Sequence, residues 1–170
     1  LNNQVAACDV SEASIKHVNS TFSQLPNFLG ADTISNLTES QQRFDAVISV
    51  EVIEHLYDEQ LDEMLSNIRK LLLPGGIFII TTPNEENLRL NQVYCPESNA
   101  VFHRWQHVRS WSSETLQRYL ENQGFKTTKF IKTNFAAVPS REITSKMKWA
   151  LKSLLGLYKG TPHLVCIASL

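Results

Sequence analysis

Several features that would assign the chain to a special class of protein are missing from its 170 residues. No apolar run approaches the ~20 residues that a bilayer-spanning helix needs, so no transmembrane segment is expected. Repeats and low-complexity segments are absent as well. The formal net charge is only −1, which argues against a general nucleic-acid-binding protein. The hydrophobic share of 42% is that of an ordinary globular protein, and we expect one domain over residues 1–170.

Glycine and cysteine are also scarce. None of the six glycines belongs to a G-x-G-x-x-G motif, so the chain lacks the phosphate-binding loop typical of dinucleotide-binding folds. The three cysteines cannot all pair with one another, and Cys8 and Cys166 lie in apolar runs that predict buried strands. We therefore expect reduced thiols that act as small core residues, which is typical of a cytoplasmic protein.

Apolar runs alternate with helical patterns along the chain, which predicts a mostly parallel sheet covered by helices. The predicted strands are residues 4–8, 27–30, 44–50, 77–82, 125–135 and 163–169. The predicted helices are residues 11–22, 58–73, 112–123 and 140–158, with Ser11 and Ser113 as N-caps of the first and third. Pro74-Gly75-Gly76 should end the helix before it, and the strand at 44–50 is apolar enough to be buried on both faces.

Asp9 ends the first predicted strand, two residues before a capped helix. In open parallel sheets ligands bind beyond the carboxyl ends of the strands, and a carboxylate at such an end can accept hydrogen bonds from both hydroxyls of a ribose. The alternative is an exposed loop acid that favours the start of the following helix. Asp9 is therefore a candidate for nucleotide binding.

The resemblance to a known family lies in three consecutive segments, FDAVISVEVIEHL (44–56), LLLPGG (71–76) and IFIITTPN (77–84). Together they resemble class I S-adenosylmethionine-dependent methyltransferases, including ubiquinone-biosynthesis O-methyltransferases and small-RNA 2′-O-methyltransferases. The resemblance covers residues 5–135. It implies a Rossmann-like, doubly wound α/β sheet that is mostly parallel, with an antiparallel terminal strand, and S-adenosylmethionine as cofactor.

The same resemblance implies a cofactor site. An acid in this position of the family accepts from the adenine amine, and Asp32 in Gly30-Ala31-Asp32 matches it. The implied cofactor-binding residues are Asp9, Val10, Asp32, Thr33 and Glu51. The family's glycine-rich loop follows a first strand that would precede Asp9, so we expect that strand to be missing from this chain and its apolar neighbours to be exposed.

Glu51, Glu54 and His55 follow directly after the strand at 44–50. If the chain turns helical there, their spacing places them on one face, where two carboxylates and an imidazole can hold a divalent cation such as Mg²⁺. The resemblance supports this, because an acid-rich motif ending in Glu-His is implicated in metal binding in both relatives. The alternative is that Glu51 faces cofactor or solvent, Glu54 caps a helix, and His55 acts as a base without metal.

The polar and aromatic segment 84–111 shows no periodicity, which indicates a functional loop. His103 and His107 are four residues apart and would share a helical face. The small-RNA enzymes supply a later histidine to their metal, and the resemblance gives His107 that catalytic place. A zinc site formed with Cys95 is disfavoured by the spacing. The segment is either a lid over the substrate or an ordered loop that covers the core.

The predicted helix at 140–158 lies in an insertion at about 136–160 and is basic and amphipathic. Such a helix either contacts an anionic membrane or is simply a solvated surface helix. Taken together, the sequence predicts an S-adenosylmethionine-dependent methyltransferase that acts on a hydroxyl of a small molecule. The alternatives are an RNA 2′-O-methyltransferase and a degenerate fold that serves only as a binding module.

Overall fold

The structure is a computed structural model that describes residues 3–135 and 161–170. The strands in this part are β1 (Val5–Cys8), β2 (Phe28–Asp32), β3 (Phe44–Val50), β4 (Leu72–Pro83), β5 (Gln92–Cys95), β6 (Ala100–His103), β7 (Lys126–Thr133) and β8 (His163–Ser169). The helices are α1 (Glu12–Phe22), α2 (Ile34–Glu39), α3 (Asp58–Leu71) and α4 (Ser113–Asn122), with a short 3-10 helix at Leu88–Asn91.

The main sheet has four strands in the order β3-β4-β8-β7. β3 and β4 are parallel, whereas β8 is antiparallel to both β4 and β7. A separate pair is formed by β1 and β2, which are parallel, and β5 and β6 form an antiparallel hairpin. The predicted α/β class and the antiparallel terminal strand are therefore confirmed, but the strand pairing in the described residues is mixed and not mostly parallel, since two pairs are parallel and three are antiparallel.

Serine side chains define where two of the helices begin. Ser11 caps α1, as predicted, since its side chain accepts a hydrogen bond from the backbone N–H of Ser14. At α4 the cap is Ser112 instead of the predicted Ser113, because Ser112 has an extended backbone and accepts from the N–H of Thr115. The short helix α2 was not predicted, since its six residues are too few to show a 3.6-residue period.

The chain passes from α3 directly into β4. The helix has acids in its first turn and bases in its last, an order that suits the helix dipole. It ends at Leu71, and Pro74-Gly75-Gly76 lies inside β4 instead of in a turn before it. The pairing register of β3 and β4 shifts in this stretch, so the strand absorbs these residues as an irregularity.

The core lies on one face of the four-stranded sheet, beneath α3 and α4. Buried side chains of both helices pack there against alternate residues of β4 and β8, as the period of two requires. The largest fully buried members are Leu61, Leu65, Ile68, Phe78, Ile80, Leu116, Leu120 and Leu164. Ile34 of α2 packs against this cluster and connects the β1-β2 unit to it.

The opposite face of β3 is open in the described part of the chain. Ile48 and Val50 are 63% and 60% exposed, so the prediction that this strand is buried on both faces is wrong. Cys8 of β1 is exposed too, although Cys166 is buried as predicted. Within the described residues β3 pairs only with β4, and β1 only with β2. Apolar residues of these two strands are therefore exposed, as expected.

Two predictions concern contact with a membrane. No helix within residues 3–135 and 161–170 is long and apolar enough to cross a membrane. The predicted insertion at 136–160, with its amphipathic helix at 140–158, lies outside the described residues. Its membrane contact therefore stays a prediction.

Two isoleucines of the main sheet provide a matched test of this one-sided core. Ile80→Ala empties a fully buried site in β4 and should lower the free energy of unfolding by about 2–5 kcal/mol. Ile48→Ala, on the open face of β3, should change it by less than about 1 kcal/mol. Urea denaturation measures both, and similar losses in the two variants would contradict the assignment of the core to one face.

Candidate active site at the strand ends

The site lies where β3 and β4 end. Because the two strands are parallel, their carboxyl ends reach the same edge of the sheet. Glu51 follows β3, and Asn84-Glu85-Glu86 follows β4. Polar side chains from two distant parts of the sequence therefore meet at this edge.

Glu51 is held against the neighbouring strands. Its backbone N–H donates to the carbonyl oxygen of Thr81 at 3.0 Å, and its Oε1 accepts from Thr81 Oγ1 at 2.8 Å. Its Oε2 lies 3.8 Å from Nδ1 of His163 on β8. The backbone of Glu51 has φ +51°, a left-handed conformation that turns the chain sharply away from β3. A role beside the cofactor stays a prediction for this residue.

The residues after Glu51 form a turn, so the predicted helical face for Glu51, Glu54 and His55 is wrong. The N–H of His55 donates to the carbonyl of Val52 at 3.0 Å, and α3 begins only at Asp58. The left-handed backbone at Glu51 is incompatible with a helix that starts there. Glu54 therefore caps no helix.

Glu54 is a buried carboxylate with one oxygen unsatisfied. Its side chain is 1% exposed, and its Oε2 accepts from Thr82 Oγ1 at 3.0 Å. Its Oε1 has no hydrogen-bond partner among the described residues. Burial raises the pKa of Glu54, and the hydrogen bond from Thr82 offsets this only in part. A buried oxygen of this kind is suited to receive a cation or a proton donor.

The segment 84–111 folds back onto the same edge and brings His107 to Glu54. The segment contains a 3-10 helix and the β5-β6 hairpin, although no regular structure was predicted there. The N–H of Val108 donates to the carbonyl of Glu54 at 2.9 Å, and that of Glu85 to the carbonyl of Trp111 at 2.8 Å. These bonds fix both ends of the loop.

One ligand atom each from Glu54, His55 and His107 lies within 4.8 Å of the others. His55 Nε2 is 3.9 Å from Glu54 Oε1, and the two imidazole rings meet edge to face. The structure thus gathers two of the three predicted metal ligands, with His107 in the third place. Glu51 belongs to no such group within the described residues.

A second group consists of Glu86, His103 and His107, again with one ligand atom each within 4.8 Å. His103 and His107 share no helix, contrary to the prediction. Their rings are instead stacked, with centroids 4.6 Å apart. Glu86 was not singled out in the sequence, although its place just beyond a strand end is a signal that could have found it. Cys95 belongs to neither group in the described part of the chain.

The other predicted site residues lie at the ends of β1 and β2. The backbone N–H of Asp9 donates to the carbonyl of Asp32 at 3.3 Å, so the two acids are neighbours. Asp9 Oδ1 accepts from the N–H of Ser11, and Asp32 Oδ1 from that of Thr33. Val10 is almost fully exposed, and Thr33 caps α2.

The structure therefore forms two polar groups at strand ends. One contains Asp9 and Asp32, and the other contains Glu51, Glu54, His55 and His107. Within residues 3–135 and 161–170 no hydrogen bond or ion pair joins the first group to the second.

A mixed α/β sheet with acidic residues beyond the ends of its parallel strands is the Rossmann-like architecture of nucleotide- and cofactor-binding folds. Solved methyltransferases have this fold. The chain aligns with an S-adenosylmethionine-dependent methyltransferase from Archaeoglobus fulgidus at a TM-score of 0.57 and 23% identity, covering 96% of this chain and 74% of that one. With the glycopeptide N-methyltransferase MtfA complexed with sinefungin, the TM-score is 0.64 at 12% identity, covering 98% and 77% of the two chains.

Sequence comparison assigns the family. Residues 2–129 match the family model described as a methyltransferase domain, and the chain belongs to that family. It is 27% identical over 122 residues to a probable S-adenosylmethionine-dependent methyltransferase of Mycolicibacterium smegmatis, covering 72% of this chain and 43% of that protein. This confirms the class that the motifs at 44–84 predicted.

Two further relatives have names that describe more specific functions. The chain is 35% identical over 92 residues to the human mitochondrial ubiquinone biosynthesis O-methyltransferase, covering 51% of this chain and 24% of that protein. It is 34% identical over 90 residues to a small RNA 2′-O-methyltransferase of Tetrahymena thermophila, covering 50% and 20%. The chain spans less than half the length of each of these relatives.

The unsatisfied buried charge of Glu54 predicts a stability effect. In the absence of divalent cations, Glu54→Gln should raise the free energy of unfolding by about 1 kcal/mol, because an amide avoids the desolvation of a carboxylate while its oxygen still accepts from Thr82. Thermal unfolding in a chelator measures the change. Glu51→Gln is the control and should give no gain, since Glu51 is more exposed and hydrogen-bonded. A less stable Glu54→Gln variant would contradict the description of Glu54.

Proposed function

We propose that the chain is the core of an S-adenosylmethionine-dependent methyltransferase that methylates a hydroxyl oxygen of a small molecule. The observation that carries the proposal is the gathering of Glu54, His55 and His107 just beyond the end of β3, in a chain whose β1-β2 pair also brings Asp9 and Asp32 together at its strand ends. One group suits the acceptor and the other the cofactor. Membership of the methyltransferase-domain family supports the proposal.

Asp9 and Asp32 fit the nucleoside part of the cofactor. Each has one carboxylate oxygen bound to a neighbouring N–H and leaves Oδ2 without a hydrogen bond in the described part of the chain. Asp9 would accept from the ribose hydroxyls and Asp32 from the adenine amine, with Val10 and Thr33 beside them. S-adenosylmethionine, when bound, supplies an activated methyl group with its own leaving group.

The group of Glu54, His55 and His107 fits a divalent cation. The buried, unpartnered Oε1 of Glu54 offers a negative charge, and two imidazoles offer nitrogen. One carboxylate with two imidazoles suits Zn²⁺ or Mn²⁺ better than Mg²⁺, which prefers oxygen ligands. A bound cation would lower the pKa of an acceptor hydroxyl.

The three residues have different access to the acceptor. His55 is partly exposed, whereas the side chains of Glu54 and His107 are largely buried. His55 is therefore the residue placed to touch an incoming acceptor, although as a cation ligand it has no lone pair left to take a proton. Glu54 lies behind it, with Oε1 at 3.9 Å from Nε2 of His55. If no cation binds, His55 acts as the base alone.

A small acceptor is favoured over RNA. The human relative is an O-methyltransferase of ubiquinone biosynthesis, and the net charge of −1 provides no general attraction for phosphates. The relative from Tetrahymena keeps RNA as the second candidate. Affinity for RNA that falls steeply with salt would separate the two.

The unpaired thiols of Cys8, Cys95 and Cys166 support a cytoplasmic location.

Cofactor binding tests the first part of the proposal. Titration calorimetry with S-adenosylmethionine should show binding by a chain extended upstream to include the family's glycine-rich loop, and Asp9→Ala in that chain should weaken binding by about 1–3 kcal/mol because hydrogen bonds to the ribose are lost. Asp45→Ala removes an exposed acid within β3 and is the control, with no expected effect. Absence of binding by this extended chain, when folded, would contradict the enzyme and leave a binding module.

Cation binding tests the second part. We expect the protein to bind Mn²⁺ or Zn²⁺ more tightly than Mg²⁺ in calorimetric titrations, and Glu54→Gln to weaken that binding by more than about 100-fold. Glu63→Gln, which changes an exposed acid of α3, should bind as the wild type does. Equal affinity in the Glu54→Gln variant would exclude this cation site and leave His55 as a base without metal.

A further inference from the structure

Glu86 lies between two imidazole rings at the edge of the site. Its Oε2 is hydrogen-bonded to Nδ1 of His107, and its Oε1 lies 3.4 Å from Nε2 of His103. Asn91 Nδ2 donates to the same Oε1 at 3.1 Å and holds the carboxylate in place. All three charged or titratable side chains are largely buried. Both oxygens of Glu86 are therefore occupied by neighbouring groups.

The backbone determines which nitrogen of His103 carries the proton. The N–H of His107 donates to Nδ1 of His103 at 3.2 Å, so this nitrogen is an acceptor and has no proton. A neutral imidazole with a bare Nδ1 carries its proton on Nε2. The Nε2–H of His103 therefore lies 3.4 Å from Oε1 of Glu86, but it makes no hydrogen bond to a described residue, so the contact is electrostatic.

The same reasoning fixes His107. An ionised carboxylate only accepts hydrogen bonds, so the proton between Glu86 Oε2 and His107 belongs to Nδ1 of the ring. The other nitrogen of His107, Nε2, then has a free lone pair. This is the form of the ring that can bind a cation together with Glu54 and His55.

This assignment distinguishes the two three-residue groups that have the spacing of a metal site, because it leaves only one of them free to bind a cation. A cation held by Glu86, His103 and His107 would need a lone pair on His103 Nε2, and hence a proton on Nδ1. That proton would face the N–H of His107, and two donors would oppose each other. The group of Glu54, His55 and His107 carries no such conflict.

We propose that Glu86, held in place by Asn91, is a positioning residue that fixes His107 in its Nδ1–H form and thereby makes Nε2 available to the cation site of Glu54 and His55. The inference rests on the proposed cation-binding function, since it concerns the same site. It also leaves His103 outside the cation site, because the protonated Nε2 that lies near Glu86 has no lone pair for a metal. A carboxylate behind a metal-binding histidine commonly has this effect on orientation and basicity.

Proton–nitrogen correlation spectra of the imidazole rings test the assignment without any cation present. In the wild-type protein we expect His107 protonated on Nδ1 and His103 on Nε2. Glu86→Gln should shift His107 toward its Nε2–H form, because an amide nitrogen placed against Nδ1 is a donor. An Nε2–H form of His107 in the wild type would overturn the proposal, and this measurement needs no variant.

Cation affinity is the second readout. Glu86→Gln should weaken Mn²⁺ or Zn²⁺ binding by about 10–100-fold. The matched control is Glu85→Gln, whose carboxylate is more exposed and, among the described residues, pairs with Lys132, and it should leave both spectra and affinity unchanged. Circular dichroism confirms that each variant is folded.

The outcomes keep the two proposals apart. A wild-type protein that shows the expected forms of both rings but binds no cation refutes the cation site and, with it, the link from Glu86 to that site. A wild-type protein that binds cation, with unchanged affinity and unchanged His107 in Glu86→Gln, refutes the positioning role alone. The expected spectra with loss of affinity only in Glu86→Gln support both.

Discussion

The parallel pairing of β3 with β4 is the constraint on which the site depends. It brings two strand ends to one edge of the sheet. Glu51 and Thr81, at these ends, are 30 residues apart in sequence. Glu51 and Glu54 arrive there from one strand and Thr81, Thr82 and Glu86 from the other. The hydroxyls of the two threonines bond the two carboxylates of the first strand. The polar site is thus connected to the same hydrogen-bonded ladder that carries the core.

Glu54 and Glu86 are two carboxylates whose surroundings suit them to different roles. Glu54 is buried with one oxygen unpartnered within the described residues, and burial raises its pKa. Glu86 has both oxygens engaged, by Asn91 and by His107. The first is therefore suited to bind an incoming positive charge, whereas the second is suited to hold a ring that is already there. His107 lies between them and takes part in both groups.

Much of the fold could be predicted because its signals are local. The period of α3, the cap at Ser11 and the apolar runs of β3 and β8 each lie within one short stretch of sequence. The errors arise where local patterns are weak or misleading. The turn after Glu51 depends on a left-handed backbone at a residue other than glycine, so no local signal indicated it. The strands of the β5-β6 hairpin have only four residues each, which is too short for a clear pattern. The burial of β3 was overestimated because the apolar composition of a strand does not show whether other elements cover both of its faces.

By itself the sequence determined the class of fold, the family and the strand ends that carry polar residues, since motif spacing and periodicity encode these directly. It also placed Glu54, His55 and His107 among the functional candidates. Only the tertiary structure decided which candidates meet. The long loop returns to the sheet edge through backbone bonds to Glu54 and Glu85, and no local pattern predicts such long-range pairing. The place of Glu86 beside His107 follows from that return, so proximity in space, not spacing in sequence, defines this site.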